Sequence, residues 1–140
     1  MKSSLKIEHL SQVPLFAGLN KKDLAELAKH MDEADAPTGT RMSEEGQLAR
    51  QFGIIVSGGA DVRRNTRKLA TLGPGDFFGE MALILRRPAS ATVILNEAST
   101  VLVMHARDFD VVMDAFPRLW RKLAVGLAER LLEADRKLAV

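Results

Sequence analysis

The sequence has no cysteine among its 140 residues. This absence excludes a disulfide framework, a thiolate nucleophile and any zinc or iron–sulfur site built on cysteine. An apolar run of 18 residues is also missing, and the segment after the first four residues, Leu-Lys-Ile-Glu, is too charged for a signal-peptide core. We therefore expect a cytoplasmic protein with no membrane segment.

An excess of charge of one sign is missing as well. Twenty Lys and Arg residues stand against 18 Asp and Glu residues, which leaves a formal charge of +2. No block of the chain is basic enough to form a nucleic-acid footprint, so no nucleic-acid partner is predicted. The length suits one domain with its own core, and we predict that residues 1–140 form a single domain.

The hydrophobic pattern divides the chain into three parts. Leu24, Leu27 and Met31 repeat at helical spacing, and we assign residues 1–36 to N-terminal helices. Residues 38–106 alternate short apolar runs with glycine-rich turns, which is typical of a small barrel or jelly roll. Helical periodicity returns over residues 107–138, where Pro117 separates two helices.

The last helix carries a coiled-coil-like seam. Its apolar residues follow 4-3-4-3-4 spacing, which predicts a homodimer contact through residues 117–138. The seam residues are Trp120, Ala124, Leu127, Leu131, Ala134 and Leu138. Leu119, Leu123 and Leu132 flank the seam, so we expect a second apolar face to contact the β-body.

Residues 72–93 are the most informative segment. A Gly-Pro-Gly-Asp turn delivers Phe77 and Phe78, and Gly79 precedes an apolar stretch that can form one or two helical turns. A helix N-terminus after a glycine presents free backbone N–H groups to an anion, which describes a small phosphate cradle. Glu80 at its mouth is a poor phosphate ligand but a good acceptor for a hydroxyl group on an attached sugar. The alternative interpretation of Glu80 is a solvated loop carboxylate.

This segment resembles the phosphate-binding cassette of cyclic nucleotide-binding domains. The similarity lies in Phe-Gly-Glu-Met-Ala-Leu at residues 78–83 and in Arg-Arg-Pro-Ala-Ser-Ala-Thr-Val at residues 86–93. Residues 13–19 and 52–58 are similar to the family's opening turn and early strand. The resemblance implies an α+β, mainly β fold, in which an eight-stranded β-roll or jelly roll has N-terminal helices and two C-terminal hinge and lid helices. It also implies binding of cAMP or cGMP as ligand, with no catalysis and no cofactor.

The resemblance also implies a set of site residues. Gly79 and the amides near Glu80, Met81 and Ala82 would cradle the cyclic phosphate, and Glu80 would hold the ribose 2′-hydroxyl. Ser90 and Ala91 would add donors on the far side of the phosphate. Two further contacts are implied beside the base, Val62 and Leu72, and two on the lid helix, Leu127 and Leu131. The alternative interpretation of Leu127 and Leu131 is that they are core or dimer-seam residues.

The cassette departs from the family pattern at Ala89, where the family ordinarily has an arginine. A charge-assisted arginine–phosphate contact is worth about 1.5–3 kcal/mol, so its loss predicts roughly ten- to a hundred-fold weaker binding. Arg87 and Arg86 lie two and three residues earlier, and Arg87 is the candidate for a replacement contact. The alternative is that both are exposed surface charges.

Two functions therefore remain open. In one, cyclic nucleotide in the cassette pulls the C-terminal helices across the pocket. In the other, the cassette has lost its ligand and the domain serves dimerisation through the seam. His9, His30 and His105 lie far apart in the sequence with no second ligand at metal spacing, and no Ser-His-Asp arrangement stands out. Neither a metal site nor a catalytic residue is predicted.

Overall fold

A computed structural model describes the backbone of residues 3–138 and the side chains of residues 5–136. The seam residue Leu138 closes the last helix, and its side chain lies outside the described part. Within this range the chain forms five α-helices, a short 3-10 turn at Pro14–Phe16 and eight strands. The helices are α1 (Ser3–Ser11), α2 (Lys21–Ala28), α3 (Glu80–Leu85), α4 (Ala106–Ala115) and α5 (Arg118–Leu138). The strands are β1 (Asp32–Ala36), β2 (Arg41–Ser43), β3 (Gln51–Ser57), β4 (Ala60–Arg64), β5 (Arg67–Leu72), β6 (Phe77–Phe78), β7 (Thr92–Leu95) and β8 (Ser99–His105).

The strands form two four-stranded antiparallel sheets. One sheet has the order β1-β8-β3-β6 and the other the order β2-β7-β4-β5. The cassette segment contributes β6 to the first sheet and β7 to the second, with α3 inserted between them. The predicted α+β, mainly β roll with flanking helices is confirmed.

The N-terminal helical part ends earlier than predicted. Residues 32–36, assigned to helix from the sequence, form β1, so that boundary is wrong. The segment Asp-Glu-Ala-Asp-Ala lacks the β-branched and aromatic residues that strands favour. It is held as a strand by its ladder to β8, in which Asp32 pairs with Val103 and Ala36 with Ser99. Tertiary pairing overrides the local preference here.

The core has two parts. One lies between the sheets and contains Ile55, Leu95 and Val101, all at most 1% exposed. The other lies between the helices and the β1-β8-β3-β6 sheet and includes Leu119 and Leu123 of α5. The expected second apolar face of α5 is therefore confirmed for Leu119 and Leu123, whereas Leu132 is exposed. The first half of α5 is anchored on the β-body by this face.

Candidate ligand-binding site

A cavity of about 1080 Å³ opens between the roll and α5. Its volume is in the range of small-molecule binding sites. The cassette, the β2–β3 loop, β4, β5 and one face of α5 all contribute to its lining. The cavity is therefore the candidate ligand-binding site.

Nine of the twelve predicted site residues line this cavity. They are Val62, Leu72, Gly79, Glu80, Met81, Ala82, Ala89, Ser90 and Ala91. Arg87, Leu127 and Leu131 are not among the lining residues, so the structure does not bring them to the other nine. The helix α5 does reach the cavity, but through a different face that includes Gly126, Arg130 and Ala134. Leu131 instead points away and is 64% exposed.

Gly79 sits at a position that only glycine fits. Its φ of 91° lies in the left-handed region, where a Cβ is disfavoured. A Cβ added to Gly79 would lie 2.5 Å from the carbonyl oxygen of Gln51 and 3.4 Å from the Cα of Phe52. The close approach of β3 to this turn therefore fixes where α3 begins.

The second arm of the cassette is tied to the β2–β3 loop. The N–H of Ala89 donates to the carbonyl of Gln47 at 2.9 Å, and the N–H of Gly46 donates to the carbonyl of Ala89 at 2.9 Å. Both backbone groups of Ala89 are thus used, and its methyl group brings no charge to the cavity. Arg86 lies 3.8 Å from Asp110 on the surface and Arg87 is exposed, as in the surface interpretation of these residues.

Glu80 is a buried carboxylate paired with the C-terminal helix. It is 3% exposed, and its Oε1 accepts a hydrogen bond of 2.8 Å from Nη1 of Arg130. Its Oε2 is buried and has no hydrogen-bond partner within the described residues. Burial raises the pKa of Glu80, against the opposing effects of its own backbone N–H and of Arg130. The solvated-loop interpretation of Glu80 does not fit this burial.

Arg130 is the residue that the sequence did not reveal. Its guanidinium lies 4.8 Å from the centre of the Phe77 ring, in addition to its contact with Glu80. The nearest sequence signal is Gly126 in the middle of a helix, where glycine is unfavourable unless something packs closely. A Cβ at Gly126 would lie 3.4 Å from Cζ of Phe77. Gly126, Arg130 and Ala134 form one i, i+4 row, and this row faces the cavity.

The described residues contain no helix long and apolar enough to cross a membrane. In the same part of the chain, no three His, Asp or Glu residues gather in a way that could hold a metal ion.

The structure is thus a β-roll in which a Gly-Glu turn and the short helix α3 face a cavity. The family model described as the cyclic nucleotide-binding domain matches residues 35–116. The chain belongs to the cyclic nucleotide-binding domain family.

The chain is also similar to proteins from bacteria. The chain is 34% identical to the Pycsar effector protein XpPycTIR of Xanthomonas perforans over 118 residues, covering 83% of this chain and 39% of that protein. It is 31% identical to the cyclic AMP receptor protein of Thermus thermophilus, covering 89% of this chain and 60% of that protein. The crystal structure of the Thermus thermophilus catabolite activator protein superimposes with a TM-score of 0.80 at 30% identity, over 90% of this chain and 62% of that one. The chain thus spans less than two thirds of each of these relatives.

Proposed function

We propose that this chain binds a cyclic nucleotide, cAMP or cGMP, in the cavity and couples occupancy to the docking of α5. The observation that carries the proposal is the buried carboxylate of Glu80 at the cavity. One of its oxygens is hydrogen-bonded to α5, and the other has no partner among the residues that the structure describes. A buried acceptor without a partner costs about 1–3 kcal/mol, and a ligand hydroxyl would satisfy it. The similarity to the cyclic AMP receptor protein of Thermus thermophilus supports a cyclic nucleotide as the ligand.

The cavity offers a different chemistry at each end. At the cassette end, the backbone around Gly79 and the Ser90 hydroxyl are the proposed donors to the cyclic phosphate. Oε2 of Glu80 is the proposed acceptor for the ribose 2′-hydroxyl. Val62 and Leu72 present apolar surface for the base. No group at the cavity needs to break or form a covalent bond, so the proposed activity is binding.

Coupling to α5 follows from Arg130. Because Arg130 and a ligand hydroxyl use the same carboxylate, the ligand changes the environment of the contact that holds this helix. A ligand can shift the equilibrium between docked and undocked α5 only by its differential affinity for the two states. We propose that cyclic nucleotide binds more tightly when α5 is docked.

Calorimetric titration of the chain with cAMP and with cGMP tests the proposal. We expect one ligand per chain, and we expect the Ala89→Arg variant to bind roughly ten- to a hundred-fold more tightly, because the arginine adds a charge-assisted contact with the phosphate. Glu80→Gln, which keeps the size of the side chain and weakens the hydroxyl acceptor, should bind more weakly than the unmodified chain. No heat and no shift in melting temperature at millimolar nucleotide, for the chain and for Ala89→Arg, would refute the proposal.

A dimerisation domain is the second candidate function. Within the described residues, two seam residues of α5 are exposed, Trp120 at 41% and Leu131 at 64%, whereas Leu127 is half-buried and Ala134 lines the cavity. Sedimentation equilibrium of Leu131→Glu against Leu132→Glu tests it, because both leucines are exposed but only Leu131 belongs to the seam. We expect the first variant alone to be monomeric if the seam joins two copies. Equal behaviour of the two variants would remove this candidate.

A further inference from the structure

The positive charges at the cavity are mostly neutralised. Among the described residues that line it, Arg41 lies 3.1 Å from Glu44 and Arg130 lies 2.8 Å from Glu80. Arg50 also lines the cavity, but no side-chain hydrogen bond within the described range directs it toward the cassette. Ala89 supplies no charge. Arg50 is thus the lining arginine with no ion pair among the described residues, and a cation on a neighbouring element that contacts the cassette is a second candidate counter-charge for an anionic ligand.

Strand β4 carries a cation beside the cavity, Arg64. Successive side chains of a strand point to opposite faces, so Ala60, Val62 and Arg64 share one face. Ala60 is fully buried in the core between the sheets, and Val62 lines the cavity. Arg64 is two residues further along, about 6–7 Å from Val62 along the strand. Arg64 is exposed and is not among the residues that line the cavity, but it follows Val62 on the same row of β4 and therefore lies beside the cavity.

A hydrogen bond fixes Arg64 to the cassette. Its Nε donates to the carbonyl oxygen of Ser90 at 2.8 Å. Ser90 is the neighbour of Ala89 and lines the cavity. Arg63, on the other face of the strand, lies 3.4 Å from Asp61, whereas Arg64 has no carboxylate within 4.0 Å in the described part of the chain. The two Nη groups of Arg64 remain available next to the cassette.

We propose that Arg64 provides the counter-charge for the cyclic phosphate that Ala89 does not provide. The inference rests on the proposed function and adds the residue that selects for an anionic ligand. A guanidinium presents several donors in a planar fork that matches phosphate oxygens. The hydrogen bond to the carbonyl of Ser90 already restricts the side chain of Arg64, so less conformational entropy is lost when a ligand binds. The cassette thus receives its cation from the neighbouring strand instead of from its own loop.

The test compares Arg64→Gln with Arg67→Gln. The two arginines pair across the β4–β5 hairpin and both are exposed, so the variants change net charge equally, but only Arg64 contacts the cassette. We expect Arg64→Gln to weaken cAMP binding about tenfold, the lower end for a charge-assisted contact because the side chain is exposed. Adenosine, which lacks the phosphate, should bind Arg64→Gln and the unmodified chain equally. Arg67→Gln should change neither affinity.

A double-mutant cycle with Ala89→Arg separates this inference from the proposed function. If both arginines serve one phosphate, Ala89→Arg should restore the cAMP affinity that Arg64→Gln has lost. The gain in affinity from Ala89→Arg should then be smaller in the unmodified chain than in Arg64→Gln. If cAMP binds and Arg64→Gln leaves its affinity unchanged, or if Arg50→Gln alone lowers it, the inference is overturned while the proposed function stands. Absence of cAMP binding by the unmodified chain and by Ala89→Arg overturns both.

Discussion

The ion pair between Arg130 and Glu80 is the main polar contact between the second half of α5 and the roll. We expect Arg130→Ala to destabilise the chain and to loosen this half of the helix. The substitution leaves a carboxylate that is 3% exposed without its cation and also removes the guanidinium from the face of Phe77.

The size of the effect follows from burial. Removing one partner of a fully buried pair costs about 3–5 kcal/mol, whereas exposed pairs contribute about 0–1 kcal/mol. The side chain of Glu80 is 4% exposed and that of Arg130 is 46% exposed, which places this pair between the two cases. We therefore expect a loss of about 2 kcal/mol, which for a domain of this length lowers Tm by roughly 8 °C.

The effect should depend on pH. Burial raises the pKa of Glu80 and Arg130 opposes that rise, so Arg130→Ala raises the pKa further. A protonated Glu80 carries no charge, so the loss of Arg130 then leaves no buried charge without a counter-ion. The difference in stability between the two proteins is therefore largest at pH above the pKa of Glu80 and shrinks as the pH falls through it. In Glu80→Gln the same substitution at Arg130 should cost less at neutral pH and about the same at acid pH, where Glu80 is itself neutral.

Denaturant unfolding followed by circular dichroism at neutral and acid pH measures these differences. Arg121→Ala is the matched control, because Arg121 is an exposed arginine of α5 that forms no ion pair within the described residues. A loss for Arg130→Ala no greater than that for Arg121→Ala would refute the reasoning, as would a difference that grows at acid pH.

Other substitutions test the packing around the site, each by thermal unfolding against the unmodified chain. Gly79→Ala should lower the free energy of unfolding by about 2–3 kcal/mol, because Gly79 has a φ of 91° and the added Cβ would lie 2.5 Å from a backbone oxygen. Gly73→Ala is the control, because a Cβ there meets nothing within 4 Å, and it should change the free energy of unfolding by no more than about 0.5 kcal/mol. Equal losses would contradict this. Leu123→Ala should cost about 2–4 kcal/mol, since the side chain is 1% exposed, and a smaller loss would mean that α5 is not anchored there. Ser99→Ala should cost about 1–2 kcal/mol, because the buried hydroxyl accepts from the N–H of Gly59 and donates to the carbonyl of Glu97; an unchanged Tm would count against that role.

The sequence was sufficient for the cassette and for most of the roll. Residues 78–93 combine a glycine, a carboxylate and a short apolar helix at fixed spacing, and this pattern is readable in the sequence without knowledge of distant contacts. Strands such as β3 carry their own signal in a run of buried apolar residues. The N-cap of α2 is likewise local, since the side chain of Asn20 accepts from the N–H of Asp23 at 2.8 Å.

What the sequence did not reveal depends on contacts between distant segments. β1 has an alanine- and acid-rich sequence and exists as a strand because β8 pairs with it. Arg130 lies 50 residues from Glu80, and no local pattern connects them. The rotation of α5 about its axis was also mistaken: Leu119 and Leu123 fix its buried face, which directs Gly126 and Arg130, not Leu127 and Leu131, toward the cavity.

Hydrogen–deuterium exchange with and without saturating cAMP tests the central claim most directly, because it reports binding at the cassette and docking of α5 in one measurement. We predict slower exchange of the amides in residues 79–91 and in residues 126–136 when cAMP is present. Glu80→Gln should reduce both effects together. Unchanged exchange in both segments at millimolar cAMP would contradict binding, and protection of the cassette with no change in α5 would contradict the coupling.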